Sequence, residues 1–299
     1  MPSALDSANL SRQYVKLCDL PDFDDPQFRA RLREIVAAGY EPREELRRKF
    51  WEYAMLGLYL DEVGALREDA EALAVAAGHE EPLFWLVNRI SRVVAIDLYG
   101  EGSFAEREAD ASMLTDPKAY APYPYREDRL SVKRMNALEL AFPDESFDIV
   151  FSLSSIEHFG GPKEVERAAR EMSRVLRPDG HLIIVTECLL THHPLDWAPL
   201  QYVIRLATLG RRCPKVTPRK RVTDTFTAGE IERFIVRPTG LKLVQPLDTR
   251  VSTESFVNLT RWVGPGELHP TTGDRWPHIL LKAHGAPWTS AFLALSKPA

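Results

Sequence analysis

Between Asn136 and Glu187 the period of apolar and polar positions changes twice. The stretch from Asp148 to Leu153 has the length and composition of a strand buried on both faces, and His181 to Thr186 repeats that signature. Between them, Pro162 to about Leu176 carries its apolar residues at helical spacing among charged ones. Pro178-Asp179-Gly180 reads as the stop after that helix. Strand, helix and strand in this order predict a parallel crossover unit.

A second unit precedes it. Leu73 to Ala77 reads as a short strand of small residues, Pro82 to Asn88 as a helix, and Val93 to Ile96 as a buried strand ending in Asp97. This is the layout of a nucleotide-binding unit, with the acid about 20 residues past the turn. A carboxylate there can accept both ribose hydroxyl protons of a bound nucleoside. The first ~70 residues are helical in pattern over Pro26 to Ala38 and Arg43 to Leu60. The second of these holds Phe50, Trp51, Tyr53, Met55, Leu56 and Tyr59 in one aromatic-rich block.

Composition narrows the function classes. The chain has 299 residues, 44% hydrophobic, enough for a large core. A net charge of -5 and a pI near 6.0 argue against a protein that coats nucleic acid or anionic membrane by bulk charge. Cys18, Cys188 and Cys213 are too few and too scattered for a disulfide framework, and reduced thiols are expected. The N-terminal residues lack the apolar core of a secretory signal, and the most apolar neighbourhood, Trp197 to Leu209, is interrupted by Pro199, Gln201 and Arg205. A cytoplasmic location without a membrane span follows as the expectation.

The crossover unit resembles the second half of the domain that binds S-adenosyl-L-methionine (AdoMet) in class I methyltransferases. Asn136-Ala137 through Phe142-Pro143-Asp144-Glu145-Ser146-Phe147-Asp148-Ile149-Val150 resembles the family's approach to its fourth strand. Ala168 through Glu171-Met172-Ser173-Arg174-Val175-Leu176-Arg177-Pro178-Asp179-Gly180 resembles the approach to its fifth. The resemblance implies an α/β fold: a doubly wound, mostly parallel, seven-stranded sheet in the order 3-2-1-4-5-7-6. Residues 1–68 would form a helical extension or cap, and residues 69–299 the methyltransferase domain, with insertions near 101–130 and 189–224. Val132 to Met135 would be the third strand, Gly240 to Val244 the sixth and Ser290 to Lys297 the last, antiparallel one. The aromatic N-terminal helix would either pack on the main domain or close over the substrate.

Candidate cofactor-binding residues follow from the same resemblance. The family's glycine-rich turn falls on Ala74, Ala76, Gly78 and Glu80, where only Gly78 keeps a glycine. Asp97 would hold the ribose, Asn136 and Ala137 the adenine, and Ser152 lies on the fourth strand before the loop that faces the sulfonium. Glu80 and Glu81 disfavour a dinucleotide pyrophosphate at this turn, whereas AdoMet carries no phosphate and has a cationic methionine end. Both glutamates also suit the start of the following helix.

The loop Ser152 to Phe159 holds Ser154, Glu157 and His158, and His158 is a candidate general base. His192, in Thr191-His192-His193-Pro194-Leu195-Asp196 beyond Glu187, is the second candidate. A third spaced ligand is lacking, so no metal site is assigned. Tyr120, Tyr123 and Tyr125 alternate with Pro122 and Pro124 in the first insertion and either cover core or stack on a ligand. Six basic residues from Arg211 to Arg221 form a solvated loop or a clamp for an anionic acceptor. Thr227 and Glu230 have the spacing of a capping box. The function implied is AdoMet-dependent methylation, of oxygen in a small molecule or saccharide. The alternatives are a methyltransferase-fold protein that only binds, and a nicotinamide-dependent oxidoreductase, which the turn chemistry disfavours.

Overall fold

A computed structural model of the chain describes residues 10–41, 46–102, 104–190, 203–204, 206–209, 211, 224–264, 267–270, 273, 275, 277–283 and 286–298. Among these, twelve strands join one sheet: β1 (Lys16–Leu17), β2 (Glu71–Val75), β3 (Arg92–Asp97), β4 (Leu130–Arg134), β5 (Phe147–Leu153), β6 (Leu176–Leu189), β7 (Phe226–Thr227), β8 (Lys242–Leu243), β9 (Thr260–Gly264), β10 (Glu267–Pro270), β11 (Leu281–Ala283) and β12 (Ala286–Ser296). The main path runs β10-β9-β11-β12-β6-β5-β2-β3-β4. β4, β3, β2, β5 and β6 are mutually parallel, and β12 runs antiparallel to β6.

The seven strands expected from sequence are therefore too few, and the sheet is mixed beyond β6. The reason lies in β12, whose eleven residues outrun any single strand on its outer edge. Its outer edge is shared in succession by β11 at Ala286 to Trp288, β1 at Ala291 to Phe292 and β8 at Leu295 to Ser296. β9 and β10 then extend the sheet past β11. The Pro178-Asp179-Gly180 stop is also corrected: these residues lie within β6, where Asp179 takes φ +60 and its N–H donates to the Lys297 carbonyl at 3.0 Å.

The longer helices are α1 (Pro26–Ile35), α2 (Arg48–Glu62), α3 (Glu81–Leu86) and α4 (Pro162–Arg174). α4 starts at Pro162, which pre-sets the helical φ, and buries Val165, Ala168, Ala169 and Met172 on one face. α2 differs. Eleven of its fifteen residues are buried, so it is an inner helix. Trp51 and Tyr59 lie edge-on to Phe292 of β12, at centroid distances of 6.3 and 6.1 Å. The N-terminal segment is thus sewn to the sheet twice, by β1 along β12 and by α2 against it.

The Tyr-Pro segment covers protein. Tyr123 Oη donates to the Ile35 carbonyl at 2.9 Å, Tyr125 packs on Phe84, and Tyr120 stacks on His79. Thr227 and Glu230 form the capping box. No helix among the described residues is long and apolar enough to cross a membrane.

Candidate active site

β2 is flanked by β3 on one side and β5 on the other, so successive crossovers leave it in opposite directions. A crevice opens at such a switch point, beyond the carboxyl ends of the strands. Here it is a cleft of about 1110 Å³, walled by the turn after β2, the ends of β3, β5 and β6, and the first turn of α2.

Ala76 and Gly78 in that turn both hold left-handed backbone, at φ +52 and +49. Alanine tolerates this at a cost of roughly 1–2 kcal/mol. The turn thereby keeps a conformation that glycine adopts freely. Gly78 N–H donates to Asp97 Oδ2 at 2.9 Å and Leu98 N–H to Oδ1 at 2.7 Å, which ties the turn to the end of β3. Burial pushes the Asp97 carboxyl above its ordinary pKa, against the pull of these two bonds. A Cβ on Gly78 would lie 2.4 Å from the Glu108 carbonyl oxygen, so the insertion after β3 sits directly on this glycine.

The opposite wall is a polar network built mainly from α2. Arg48 Nη2 donates to Glu187 Oε1 and Nη1 to Ser290 Oγ, each at 2.8 Å. Ser290 and Ser154 hydroxyls both donate to Glu52 Oε1 at 2.6 Å. Lys49 Nζ donates to the Leu153 carbonyl at 2.8 Å, lies 3.4 Å from Glu52, and forms an ion pair with Glu80. Thr186 Oγ1 donates to Glu157 Oε2 at 2.9 Å. Burial works against the charge on Arg48, but Glu187 and Glu52 outweigh it and hold the guanidinium above its ordinary pKa. Burial pushes Glu80 up to about 7 even with Lys49 opposing. Glu157 and Glu187 are likewise raised, first by burial and then by neighbouring carboxylates.

His158 stands at the mouth. Its Nδ1 is 3.1 Å from Asp224 Oδ2, and the Phe104 ring lies 4.9 Å from the imidazole. With Asp224 ionised, Nδ1 carries the proton and Nε2 is left as an acceptor.

The cleft brings together Ala76, Gly78, Glu80, Asp97, Asn136, Ala137 and His158. Ser152 is not part of its lining; it is buried within β5, and its hydroxyl has no hydrogen-bond partner. The Asn136 side-chain oxygen Oδ1 accepts from Leu138 N–H at 2.9 Å. His192, its neighbours and most of the basic Arg211 to Arg221 stretch lie outside the described residues. Sequence reasoning missed Arg48, Lys49, Glu52 and Asp224. For the first three a signal existed: charges at i, i+3 and i+4 on an otherwise apolar helix. For Asp224, 66 residues from His158, there was none.

Residues 73–184 match the family model described as a methyltransferase domain. Within these residues the chain carries a methyltransferase domain of the class I AdoMet-dependent type. The chain is 33% identical over 122 residues to the uncharacterized protein YafE of Escherichia coli, covering 41% of this chain and 51% of that one. It is 32% identical over 120 residues to the 27-O-demethylrifamycin SV methyltransferase of Amycolatopsis mediterranei, covering 40% and 39%. It is 29% identical over 159 residues to the ubiquinone/menaquinone biosynthesis C-methyltransferase UbiE of Hahella chejuensis, covering 52% and 58%. The chain thus spans roughly half the length of these relatives. The cofactor of the family is AdoMet.

The cleft fits that molecule chemically. Ala76 preserves the left-handed turn, Asp97 presents a carboxylate beside it, and Asn136 with Ala137 supplies amide groups at the end of β4. Nine carboxylates and three basic side chains line the cleft among the described residues, a balance suited to a cationic ligand.

Proposed function

We propose that this chain transfers the methyl group of AdoMet to a hydroxyl of a small molecule or saccharide. The observation that carries the reading is the His158-Asp224 pair at the cleft mouth, 3.1 Å apart. When bound, AdoMet supplies a methyl carbon on a sulfonium, and the sulfur departs as a neutral thioether. Asp97 is assigned to the ribose, Asn136 and Ala137 to the adenine, and the main chain from Ala76 to Gly78 to the methionine portion. His158 Nε2 takes the acceptor's hydroxyl proton, while Asp224 holds the tautomer and favours the imidazolium that results. The polar wall from α2 fixes the acceptor, so the main task of alignment falls to a part of the chain outside the matched segment.

The similarity to a 27-O-demethylrifamycin SV methyltransferase supports oxygen as the acceptor atom. The test is a screen of hydroxylated small molecules and glycosides for release of S-adenosylhomocysteine (AdoHcy). On the best acceptor, His158→Ala is expected to lower turnover by roughly 10²- to 10⁴-fold with little change in AdoHcy affinity. Asp224→Asn should lower it by less. Full turnover in both variants would remove the pair from the mechanism. A protein that binds AdoHcy but methylates nothing would be a binding relative of the family.

A further inference from the structure

Charges on the polar wall are matched unevenly. Glu187 is bonded to Arg48, while Glu80 and Glu52 share Lys49. Glu157 has no basic partner within 4 Å among the described residues. It is 4% exposed and lines the cleft, and its Oε2 is aimed by the Thr186 hydroxyl at 2.9 Å. Its Oε1 is buried without a hydrogen-bond partner. Glu52 repeats the feature at Oε2, which lies near Lys49 but makes no hydrogen bond. A buried carboxylate oxygen left unpartnered is costly, and native proteins retain such groups where a ligand completes them.

Glu157 belongs to other strands than the cofactor turn, which its loop meets where Ser155 Oγ donates to the Ala76 carbonyl at 3.1 Å. It sits beyond β5 and is anchored to β6 through Thr186, whereas Ala76, Gly78 and Asp97 belong to β2, β3 and the turn between them. A cleft of about 1110 Å³ also exceeds the roughly 300–1,000 Å³ usual for one small ligand, which leaves room for an acceptor beside AdoMet.

We infer that the acceptor carries a protonated amine as well as the hydroxyl, and that Glu157 binds the ammonium group. This rests on the methyltransferase reading and adds the chemical class of its substrate: an amino alcohol or amino sugar. The ammonium offers three donors, enough for Oε1 of Glu157 and Oε2 of Glu52 on the same wall. Anionic acceptors such as phosphorylated sugars are disfavoured at this wall by the same carboxylates.

The test is calorimetric titration of the full chain, loaded with AdoHcy, at pH 8. The probes are 4-amino-1-butanol and its neutral counterpart 1,4-butanediol. The amino alcohol is expected to bind at least about tenfold more tightly than the diol, the scale of a charge-assisted hydrogen bond. Glu157→Gln should abolish that preference and Glu157→Asp should retain part of it, with AdoHcy affinity unchanged within about threefold in both. No preference in the wild type, including the case where neither probe binds, overturns the proposal. So does a preference that survives Glu157→Gln, or a folded Glu157→Gln protein that has lost AdoHcy. If Glu157→Gln does not fold, judged by its thermal unfolding, the wild-type comparison decides alone. Failure of the wild type to bind AdoHcy is a separate result, and it removes the methyltransferase reading itself.

Discussion

At the scale of single residues, the turn after β2 shows how much sequence divergence a backbone can absorb. Gly78 combines φ +49 with a Cβ direction blocked by the Glu108 carbonyl oxygen. Gly78→Val therefore adds a β-branched side chain where neither the dihedral nor the space allows it. AdoHcy binding should be lost in calorimetry, while the cooperative thermal transition of the core persists; retained tight binding would mean that the turn does not touch the ligand. The buried carboxylates make a second, thermodynamic mark. Glu80 titrates near 7 in the folded chain, above its unfolded value, so folding takes up protons there. Its stabilising contribution is complete below the unfolded pKa and is lost as pH rises through about 7. His181 and His278 run the other way: burial lowers them to about 4 and about 3, so they cost stability only below about pH 6.5. Above that pH the carboxylates prevail, and the urea midpoint should fall between about pH 6.5 and 8, at up to about 1.4 kcal/mol per pH unit for each proton released. Glu80→Gln should flatten that slope; an unchanged slope would take Glu80 out of the account.

At the scale of elements, α2 is where local pattern and structural role part company. Its apolar and aromatic residues announce a buried helix, but the same pattern cannot say that its first turn lies over a cleft. Lys49 makes the point: its ammonium is held by the Leu153 carbonyl, Glu80 and Glu52, from three separated segments. Lys49→Ala would leave those acceptors without their cation. Because the Lys49 side chain is 36% exposed, the cost should be about 1–3 kcal/mol in urea unfolding, below the value for a fully buried pair. A loss under about 0.5 kcal/mol would show the cluster to be water-screened. The crossover units were legible because a strand buried on both faces and an amphipathic helix each carry a period of their own. β5, α4, β3 and Asp97 stand where the pattern indicated, within a few residues. The end of α4 was misjudged because Pro178-Asp179-Gly180 can break a helix or bulge a strand, and pairing with β5 and β12 decides for the strand.

At the scale of the whole molecule, β12 and β8 fall on the strands expected at Ser290 to Lys297 and Gly240 to Val244, but the rest of the sheet beyond β6 was hidden from sequence because it depends on edge sharing. β1 and β11 are too short to announce themselves, and each exists by pairing with a stretch of β12, whereas β8 falls within the strand expected at Gly240 to Val244. That arrangement draws β1 onto the same edge as the C-terminal strands and sets the first turn of α2 at the carboxyl ends of β5 and β6, with Tyr59 farther along the helix reaching His181. The segment shared with the family, residues 73–184, supplies the proposed cofactor wall and, through Glu157 and His158, part of the proposed acceptor wall, which α2, Glu187 and Asp224 complete. A calorimetric titration of AdoHcy into the wild type and into Asp97→Ala tests the central claim most directly. The account predicts one saturable site in the wild type, no site for NAD, and a loss of about 1.5–3 kcal/mol of AdoHcy affinity in the variant. Absence of AdoHcy binding, or equal affinity in Asp97→Ala, would contradict it.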